Sequence, residues 1–141
     1  MNQRLTFITL GVSDLEKAKD FYVNVFGWKP IKDDQGIVFF KLNGLILSLF
    51  PTDELAKDAG IPNDGNGFKR MTLAINFKSE QEVDVAFTEA VGKGAKSILK
   101  PEKVFWGGYR GYLADLDENL WEFAYNPFLE MDAQGNVIGH Q

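Results

Sequence analysis

The sequence predicts an α+β fold of two βαβββ modules in tandem, whose sheets would form a curved, half-open barrel of mixed sheet. Two observations lead to this prediction. An alternating strand pattern is followed by a helical pattern and three short strand-like runs, and this order of elements restarts near residue 70 with little identity between the halves. The length of 141 residues suits one domain of two small modules. We therefore predict a single domain over residues 1–130 and a tail over residues 128–141, as a loose arm or an added edge strand.

The first module is predicted over residues 5–50. Polar or small residues alternate with aliphatic ones from Leu5 to Val12, which is typical of a strand with one face on a core. Asp14 can cap a helix, and apolar residues then recur at helical spacing until Gly27, so the first helix spans about 14–26. Three short strands are expected at about 28–32, 36–42 and 45–50.

The second module is predicted over residues 70–127, after a linker at 51–69 that contains prolines and glycines. The stretch from Met71 to Phe77 alternates as the first strand does. Ser79 can cap a helix that ends at the glycines of residues 92–94. Three further strands are expected at about 96–99, 109–114 and 120–125.

Charge and composition exclude several classes of function. The formal net charge of -5 would repel a phosphate backbone, so nucleic acid is not an expected partner. No apolar run approaches the roughly 20 residues of a membrane span, and the first residues lack the apolar core of a signal peptide, so a soluble, cytoplasmic protein is expected. The only histidine is His140 and there is no cysteine. The chain therefore lacks the residues needed for a multi-histidine metal site, a thiolate site or a Ser-His-Asp triad.

Two segments of the chain resemble the vicinal oxygen chelate superfamily of glyoxalases, bleomycin resistance proteins and extradiol dioxygenases, particularly its bacterial glyoxalase-like members. Residues 8–22 read ITLGVSDLEKAKDFY, and residues 105–127 read FWGGYRGYLADLDENLWEFAYNP. The resemblance covers residues 5–127 and implies two βαβββ modules around a small-molecule cleft. Superfamily members include isomerases, dioxygenases, epimerases, thiol transferases acting on fosfomycin and metal-free drug-binding proteins, so the fold alone does not select an activity.

The resemblance also implies where a metal would bind. Enzymes of the superfamily hold a divalent metal with side chains on the first and last strands of each module, often histidine and glutamate. Carried over to this sequence, these positions are Phe7, Ser48, Thr72 and Glu122. Only Glu122 is a good metal ligand, and one carboxylate with two hydroxyl groups falls short of the usual donor set. We therefore expect no cofactor and no family metal, and Glu122 as the ligand if a divalent metal does bind.

The remaining candidates surround the predicted cleft. Alternation along the last strand turns Glu122 toward the cleft, where a carboxylate needs a partner such as Arg110 or a ligand group and could act as an acid or base. Trp106 and Tyr109 would stack a flat or apolar ligand while Arg110 meets an anionic group, although a purely structural loop fits the same residues. The expected ligand-binding residues are Phe7, Thr9, Ser48, Thr72, Trp106, Tyr109, Arg110 and Glu122.

The turn before the last strand departs from the superfamily's usual Asp-Pro-Asp-Gly pattern. Leu116 stands in place of the proline, and Glu118 stands in place of the glycine. We expect Asn119 to supply the left-handed conformation that the turn needs.

Three functions remain open from the sequence. The first is a metal-free protein, resembling bleomycin resistance proteins, that binds a small apolar or planar molecule in an aromatic cleft. The second is an enzyme that resembles lactoylglutathione lyase or a related lyase, isomerase or dioxygenase and uses Glu122 with a weakly held divalent metal. The third is an interaction protein whose cleft is filled by its own side chains, with Phe7 as a plug. Superfamily members commonly pair, so a homodimer is expected.

Overall fold

The computed structural model describes residues 1–141 and divides them into two compact units, Met1–Lys69 and Arg70–Gln141. Each unit contains an open, four-stranded mixed sheet with a helix packed on one face. The α+β class and the repeated βαβββ order are therefore confirmed. No helix in the chain is both long enough and apolar enough to cross a membrane.

The first unit has its strands in the spatial order β1-β4-β3-β2, with β1 parallel to β4 and the other neighbours antiparallel. Its elements are β1 (Phe7–Val12), α1 (Leu15–Asn24), β2 (Lys32–Asp34), β3 (Ile37–Lys41), β4 (Ile46–Pro51) and α2 (Thr52–Ala59). The second helix, α2, lies within the stretch predicted as a linker.

The helix α1 begins after Asp14, whose side chain accepts a hydrogen bond from the Lys17 backbone N–H at 3.0 Å. Its apolar side packs on one face of the sheet, where Tyr22 contacts the Phe40 ring at 6.0 Å between centroids. Most aliphatic residues of β1, β3 and β4 on this face are almost fully buried, namely Leu10, Val12, Val38, Leu47 and Leu49. We call the opposite face the open face of the first sheet. It carries the residues that alternate along these strands with the buried ones.

The strand predicted at 28–32 was placed too early, because β2 begins at Lys32. Trp28 stacks on Tyr22 with a centroid separation of 5.8 Å, and its backbone N–H donates to the Tyr22 carbonyl at 3.1 Å. Trp28 also contacts Phe26 and Phe40. The bulky ring therefore closes the end of the core instead of joining the sheet.

The second unit has its strands in the order β5-β8-β7-β6, with β5 parallel to β8 and the others antiparallel. Its elements are β5 (Thr72–Asn76), α3 (Glu80–Gly92), β6 (Lys96–Lys103), β7 (Tyr109–Ala114), β8 (Leu120–Tyr125), β9 (Leu129–Met131) and β10 (Val137–His140). The helix α3 is capped by Ser79, as predicted, and buries Val83, Phe87 and Ala90. A Cβ at Gly111 would lie 2.9 Å from the Pro101 backbone nitrogen and 3.0 Å from the Phe87 ring, so β7 needs glycine there for β6 and the helix to approach.

The tail is neither a loose arm nor an added edge strand of the four-stranded sheet. Strands β9 and β10 form a separate antiparallel hairpin. Asp132 closes it by accepting hydrogen bonds from the backbone N–H groups of Gln134 at 2.9 Å and Asn136 at 2.8 Å. A hydrogen bond from the Asn136 side chain lowers the pKa of Asp132 most, and the backbone bonds lower it further. An aspartate-based turn thus organises residues whose polarity suggested an irregular arm.

The turn between β7 and β8 has a different left-handed residue from the one predicted. Glu118 has φ +64°, whereas Asn119 is not in that region. Asp115 accepts hydrogen bonds from the Asn119 backbone N–H at 2.9 Å and from the Asn119 side chain at 2.8 Å. Because Asn119 is held by Asp115, the unfavourable conformation falls on Glu118, at the position where the superfamily pattern has glycine.

Candidate functional site

The open face of the second sheet, opposite α3, brings together Arg110, Tyr112 and Glu122. Tyr112 lies directly across from Glu122 in the β7–β8 register, and Arg110 lies across from Ala124. Residues two apart on a strand point to the same side, so these three side chains share one face. The helix-packed face instead carries Trp121 and Phe123, both nearly fully buried. The predicted orientation of Glu122 away from the helix therefore agrees with the register.

Glu122 has a hydrogen-bond partner within the protein. The Tyr112 hydroxyl donates to Glu122 Oε2 at 2.9 Å, in a partly buried position. Burial raises the pKa of Tyr112 most, and the bond to the Glu122 carboxylate raises it further, while a hydrogen bond with Thr72 and the charge of Arg110 oppose the rise. Tyr112 therefore stays a protonated donor, and the second carboxylate oxygen of Glu122 accepts no hydrogen bond from the chain.

Arg110 is held beside this pair. Its Nη1 donates to Glu102 on β6 at 3.4 Å, and its guanidinium carbon lies 5.9 Å from the centre of the Tyr112 ring. The Arg110 side chain is only 19% exposed, whereas that of Glu102 is 59% exposed. Nε and Nη2 donate no hydrogen bond within the chain. Arg110 therefore presents a fixed guanidinium edge of the kind that binds a carboxylate with two parallel hydrogen bonds.

The loop before β7 places Trp106 at the end of the same face. Gly108 is buried, and a Cβ there would overlap the six-membered ring of Trp106. Such a Cβ would point to the same side as the Arg110 side chain two residues later, so the Trp106 ring lies against the Arg110 side of the sheet. Gly107 has φ +98°, and a Cβ there would lie 3.4 Å from the Phe128 ring. Both glycines are therefore required for this aromatic loop.

Tyr109 lies away from these residues. Its hydroxyl donates to Asp84 Oδ1 on α3 at 2.5 Å, which places its side chain on the helix-packed side of β7. This bond, with smaller contributions from burial and the nearby carboxylates, raises the pKa of Tyr109 to about 12. The structure thus brings Arg110 and Trp106 to one side of the sheet and turns Tyr109 to the other, where it joins the strand to the helix.

The predicted residues of the first unit lie on the open face of the first sheet. Phe7 is 44% exposed and makes an edge-to-face contact with Phe39 at 5.6 Å between ring centres. Thr9 and Ser48 are neighbours in the β1–β4 register, and their hydroxyl oxygens lie 2.6 Å apart. Ser48 is almost fully buried. This face therefore combines accessible aromatic surface with a hydroxyl pair that satisfies itself.

The residues at the superfamily's metal positions do not fit a divalent metal. Phe7 has no lone pair to donate, the Ser48 hydroxyl is bonded to Thr9, and Thr72 interacts with Tyr112. Glu122 is the one strong ligand, and metal sites need three or four protein donors. No group of three histidine, cysteine, aspartate or glutamate side chains in the chain could hold a metal ion.

Tyr112 and Glu102 are members of this cluster that the sequence interpretation missed. Their roles depend on which residues face each other across neighbouring strands, and alternation along a single strand does not give that register. The signal was present for Tyr112, because a hairpin centred on Asp117 places position 112 opposite position 122. The position of Glu102 could not be read in this way, since β6 pairs with β7 through two shifts of register.

A separate concavity of about 640 Å³ lies in the second unit, away from Glu122. It is lined by the end of β5, the exposed side of α3 and the turn of the C-terminal hairpin, including Phe77, Val85 and Met131. It contains none of the predicted ligand-binding residues. Its lining mixes apolar side chains with the charged groups of Lys78 and Glu82, so the concavity is neither uniformly apolar nor of one charge.

Comparison with known proteins defines the class. The sequence pattern of the glyoxalase/bleomycin resistance protein/dioxygenase superfamily matches residues 4–123, and the chain belongs to this superfamily. A glyoxalase-related enzyme from Fulvimarina pelagi has a similar structure, with 34% identity and a TM-score of 0.91 over 99% of this chain and 100% of that chain. Lactoylglutathione lyase from Agrobacterium tumefaciens shares the fold, with 23% identity and a TM-score of 0.70 over 89% of this chain and 96% of that one.

One curated relative is the metallothiol transferase FosB of Lysinibacillus sphaericus (strain C3-41). It is 34% identical to this chain over 89 residues, which are 63% of this chain and 58% of the relative. The match therefore spans less than two thirds of the relative's length.

Proposed function

We propose that this protein binds a small apolar or planar molecule and that it does so without the divalent metal used by enzymes of its superfamily. The observation that carries the proposal is the hydrogen bonding of the Glu122 side chain. Its carboxylate is held by the Tyr112 hydroxyl at 2.9 Å, and the other metal positions carry Phe7, Ser48 and Thr72. A partly buried carboxylate with a protein donor needs no cation to be stable.

The aromatic residues support a flat or apolar ligand. Trp106 is ordered against Gly108 on the Arg110 side of the second sheet, and Phe7 exposes part of its ring on the first sheet. Flat aromatic rings of this kind offer stacking surface that is rigid before a ligand arrives, which reduces the entropy lost on binding. The ligand contacts proposed on the second sheet are Thr72, Trp106, Arg110 and Glu122, with Tyr112 added and Tyr109 given a supporting role. Those proposed on the first sheet, taken by itself, are Phe7, Thr9 and Ser48.

A second candidate is an enzyme of the lyase, isomerase or dioxygenase type. The match to a metallothiol transferase and the retained Glu122 favour it. In this alternative Glu122 would act as an acid or base, or as the sole protein ligand of a weakly held divalent ion. The two candidates differ in what they require, because the enzyme must turn over a substrate, with or without a weakly held metal, and the binding protein needs neither turnover nor metal.

Thermal unfolding of the purified full chain in EDTA, with a panel of planar aromatic acids, phenols and polycyclic compounds, separates the candidates. We expect at least one class of compound to raise the melting temperature equally in EDTA and in buffer with Ni²⁺ or Zn²⁺, by preferential binding to the folded state. A shift that needs the metal, together with turnover of a methylglyoxal and glutathione mixture, would favour the enzyme. The absence of a shift with every compound would contradict the binding proposal.

A further inference from the structure

We propose that Asn66 is a site of spontaneous modification, where the side-chain amide is converted to aspartate and isoaspartate through attack by the chain's own backbone. The proposal is independent of the function proposed above, because Asn66 lies in the exposed segment 60–70 between α2 and β5 and not on either sheet. Two asparagines of the chain, Asn43 and Asn66, precede a glycine. The structure distinguishes them, because hydrogen bonds hold the reacting group beside Asn43 and not the one beside Asn66.

The reaction needs the backbone nitrogen of the residue that follows the asparagine. The deprotonated nitrogen of Gly67 would attack the side-chain carbonyl carbon of Asn66, forming a five-membered imide ring and releasing ammonia. Water then opens the ring at either carbonyl and leaves a carboxylate in place of the amide, with no change of oxidation state. Glycine favours this attack, because it has no side chain to shield its nitrogen and it allows the backbone to bend toward the asparagine.

The surroundings of Asn66 leave both reacting groups accessible. Residues 60–70 are all exposed, and residues 62–66 form neither helix, strand nor turn. The Gly67 N–H donates no hydrogen bond, and the Asn66 side chain has no hydrogen-bond partner within the chain. A Cβ at Gly67 would meet nothing within 4 Å, so no neighbouring group blocks the approach of the Asn66 side chain to the Gly67 nitrogen.

Asn43 also precedes a glycine, but its backbone is held. It lies in the hairpin turn between β3 and β4, where the Leu42 N–H donates to the Leu45 carbonyl at 2.8 Å. The Gly44 N–H, which would have to attack, donates to the Leu42 carbonyl at 3.0 Å. A Cβ at Gly44 would meet nothing within 4 Å, so hydrogen bonding and not crowding separates the two sites. The turn must therefore open locally before Gly44 can react.

Modification at Asn66 would alter the charge and the backbone of this segment. Each event adds one negative charge to a chain whose formal net charge is already -5. The isoaspartate product also inserts one methylene group into the backbone between residues 66 and 67. Exposed segments outside helices and strands tolerate such changes, so the sheets should be unaffected. The purified chain would therefore develop forms that differ by one charge and share one fold.

Peptide mass spectrometry of the full chain, incubated at mildly alkaline pH, measures both asparagines in one sample. Trypsin releases Asn43 in the peptide 42–57 and Asn66 in the peptide 58–69. We expect Asn66 to lose its amide at least about tenfold faster than Asn43 in the folded chain, because the hydrogen-bonded turn must open before Asn43 reacts. Fragment ions distinguish Asn66 from Asn63 within the same peptide.

The same chain unfolded in urea is the matched control. There the two rates should agree within about threefold, because both asparagines precede glycine and the hairpin is lost. Equal rates in the folded chain, or a difference that is just as large in urea, would overturn the proposal.

Ion-exchange chromatography of two variants gives a second readout. Acidic species should accumulate at similar rates in wild type and in Asn43→Gln, and much more slowly in Asn66→Gln, because a glutamine would have to form a larger and less favourable ring. Accumulation at the wild-type rate in Asn66→Gln would also overturn the proposal.

Discussion

Hydrogen bonding at single residues determines what this site can do. Glu122 and Arg110 were both identified from the sequence, Glu122 from the alternation of the last strand and Arg110 as the cation that follows the aromatic and glycine residues 105–109. The partner of Glu122 was expected to be Arg110 or a ligand, and within the protein it is Tyr112. The identity of a partner depends on strand register, which alternation along a single strand does not contain. The face of Glu122 could thus be predicted, but the face of Tyr109 and the contacts across the sheet were not.

The Tyr112 hydroxyl should contribute measurably to stability. Tyr112→Phe removes the donor from a partly buried carboxylate, and we expect a loss of about 1–2 kcal/mol in the free energy of unfolding. Urea denaturation measures this loss. Tyr125→Phe is the matched control, because Tyr125 is also partly buried on the sheet and its hydroxyl makes no hydrogen bond in the chain. Equal losses in the two variants would contradict the assigned bond.

The bond from Tyr109 to Asp84 should make stability depend on pH at the alkaline end. The pKa of Tyr109 is raised from its ordinary value of 10.0 to about 12 in the folded chain, so the folded state holds the proton more tightly. Its contribution is therefore fully present below pH 10 and is lost as the pH rises through about 12. The stability difference between wild type and Tyr109→Phe should be constant from about pH 7 to 9.5 and shrink above it. A difference that stays constant to about pH 12 would contradict this bond.

At the scale of elements, α1, α3 and most strands of the two four-stranded sheets followed from periodicity and caps, whereas α2, the position of β2 and two turns did not. Two of the three hairpin turns of the second unit use an aspartate that bonds an asparagine four residues later, Asp115 with Asn119 and Asp132 with Asn136. This shared spacing organises the turn between β7 and β8, which was predicted with a different left-handed residue. It also organises the β9–β10 hairpin, which lies in a stretch predicted to be irregular. Short polar side chains that bond nearby backbone produce such turns without a hydrophobic pattern.

The left-handed conformation of Glu118 leads to a prediction for the turn between β7 and β8. Glu118→Gly should raise the free energy of unfolding by about 1 kcal/mol, because glycine adopts a positive φ without the Cβ penalty. The ion pair with Lys96 that is lost is exposed, with a 3.9 Å separation, and contributes little. Asp117→Gly, whose φ is not positive, should lower stability instead. Chemical denaturation of both variants checks the opposite signs.

At the scale of the whole molecule, the superfamily was recognisable because its motifs lie on strands, caps and turns that the fold itself requires. The activity could not be predicted in the same way. It depends on the side chains at four positions, and the fold forms with many different residues at those positions. In this chain three of these positions carry Phe7, Ser48 and Thr72, and the fourth is hydrogen-bonded to a tyrosine. A scaffold shared with metalloenzymes thus presents aromatic and hydrogen-bonding surface. The homodimer expected from the superfamily stays a prediction.

The most direct test of metal-free binding is a calorimetric titration of Ni²⁺, Zn²⁺ and Mn²⁺ into the EDTA-treated full chain, with Glu122→Ala measured in parallel. We predict no binding at one ion per chain that depends on Glu122, because a single carboxylate cannot replace the hydration shell of a divalent ion. Weak binding that is identical in the two proteins would agree with this account. Binding of one ion per wild-type chain that disappears in Glu122→Ala would contradict it.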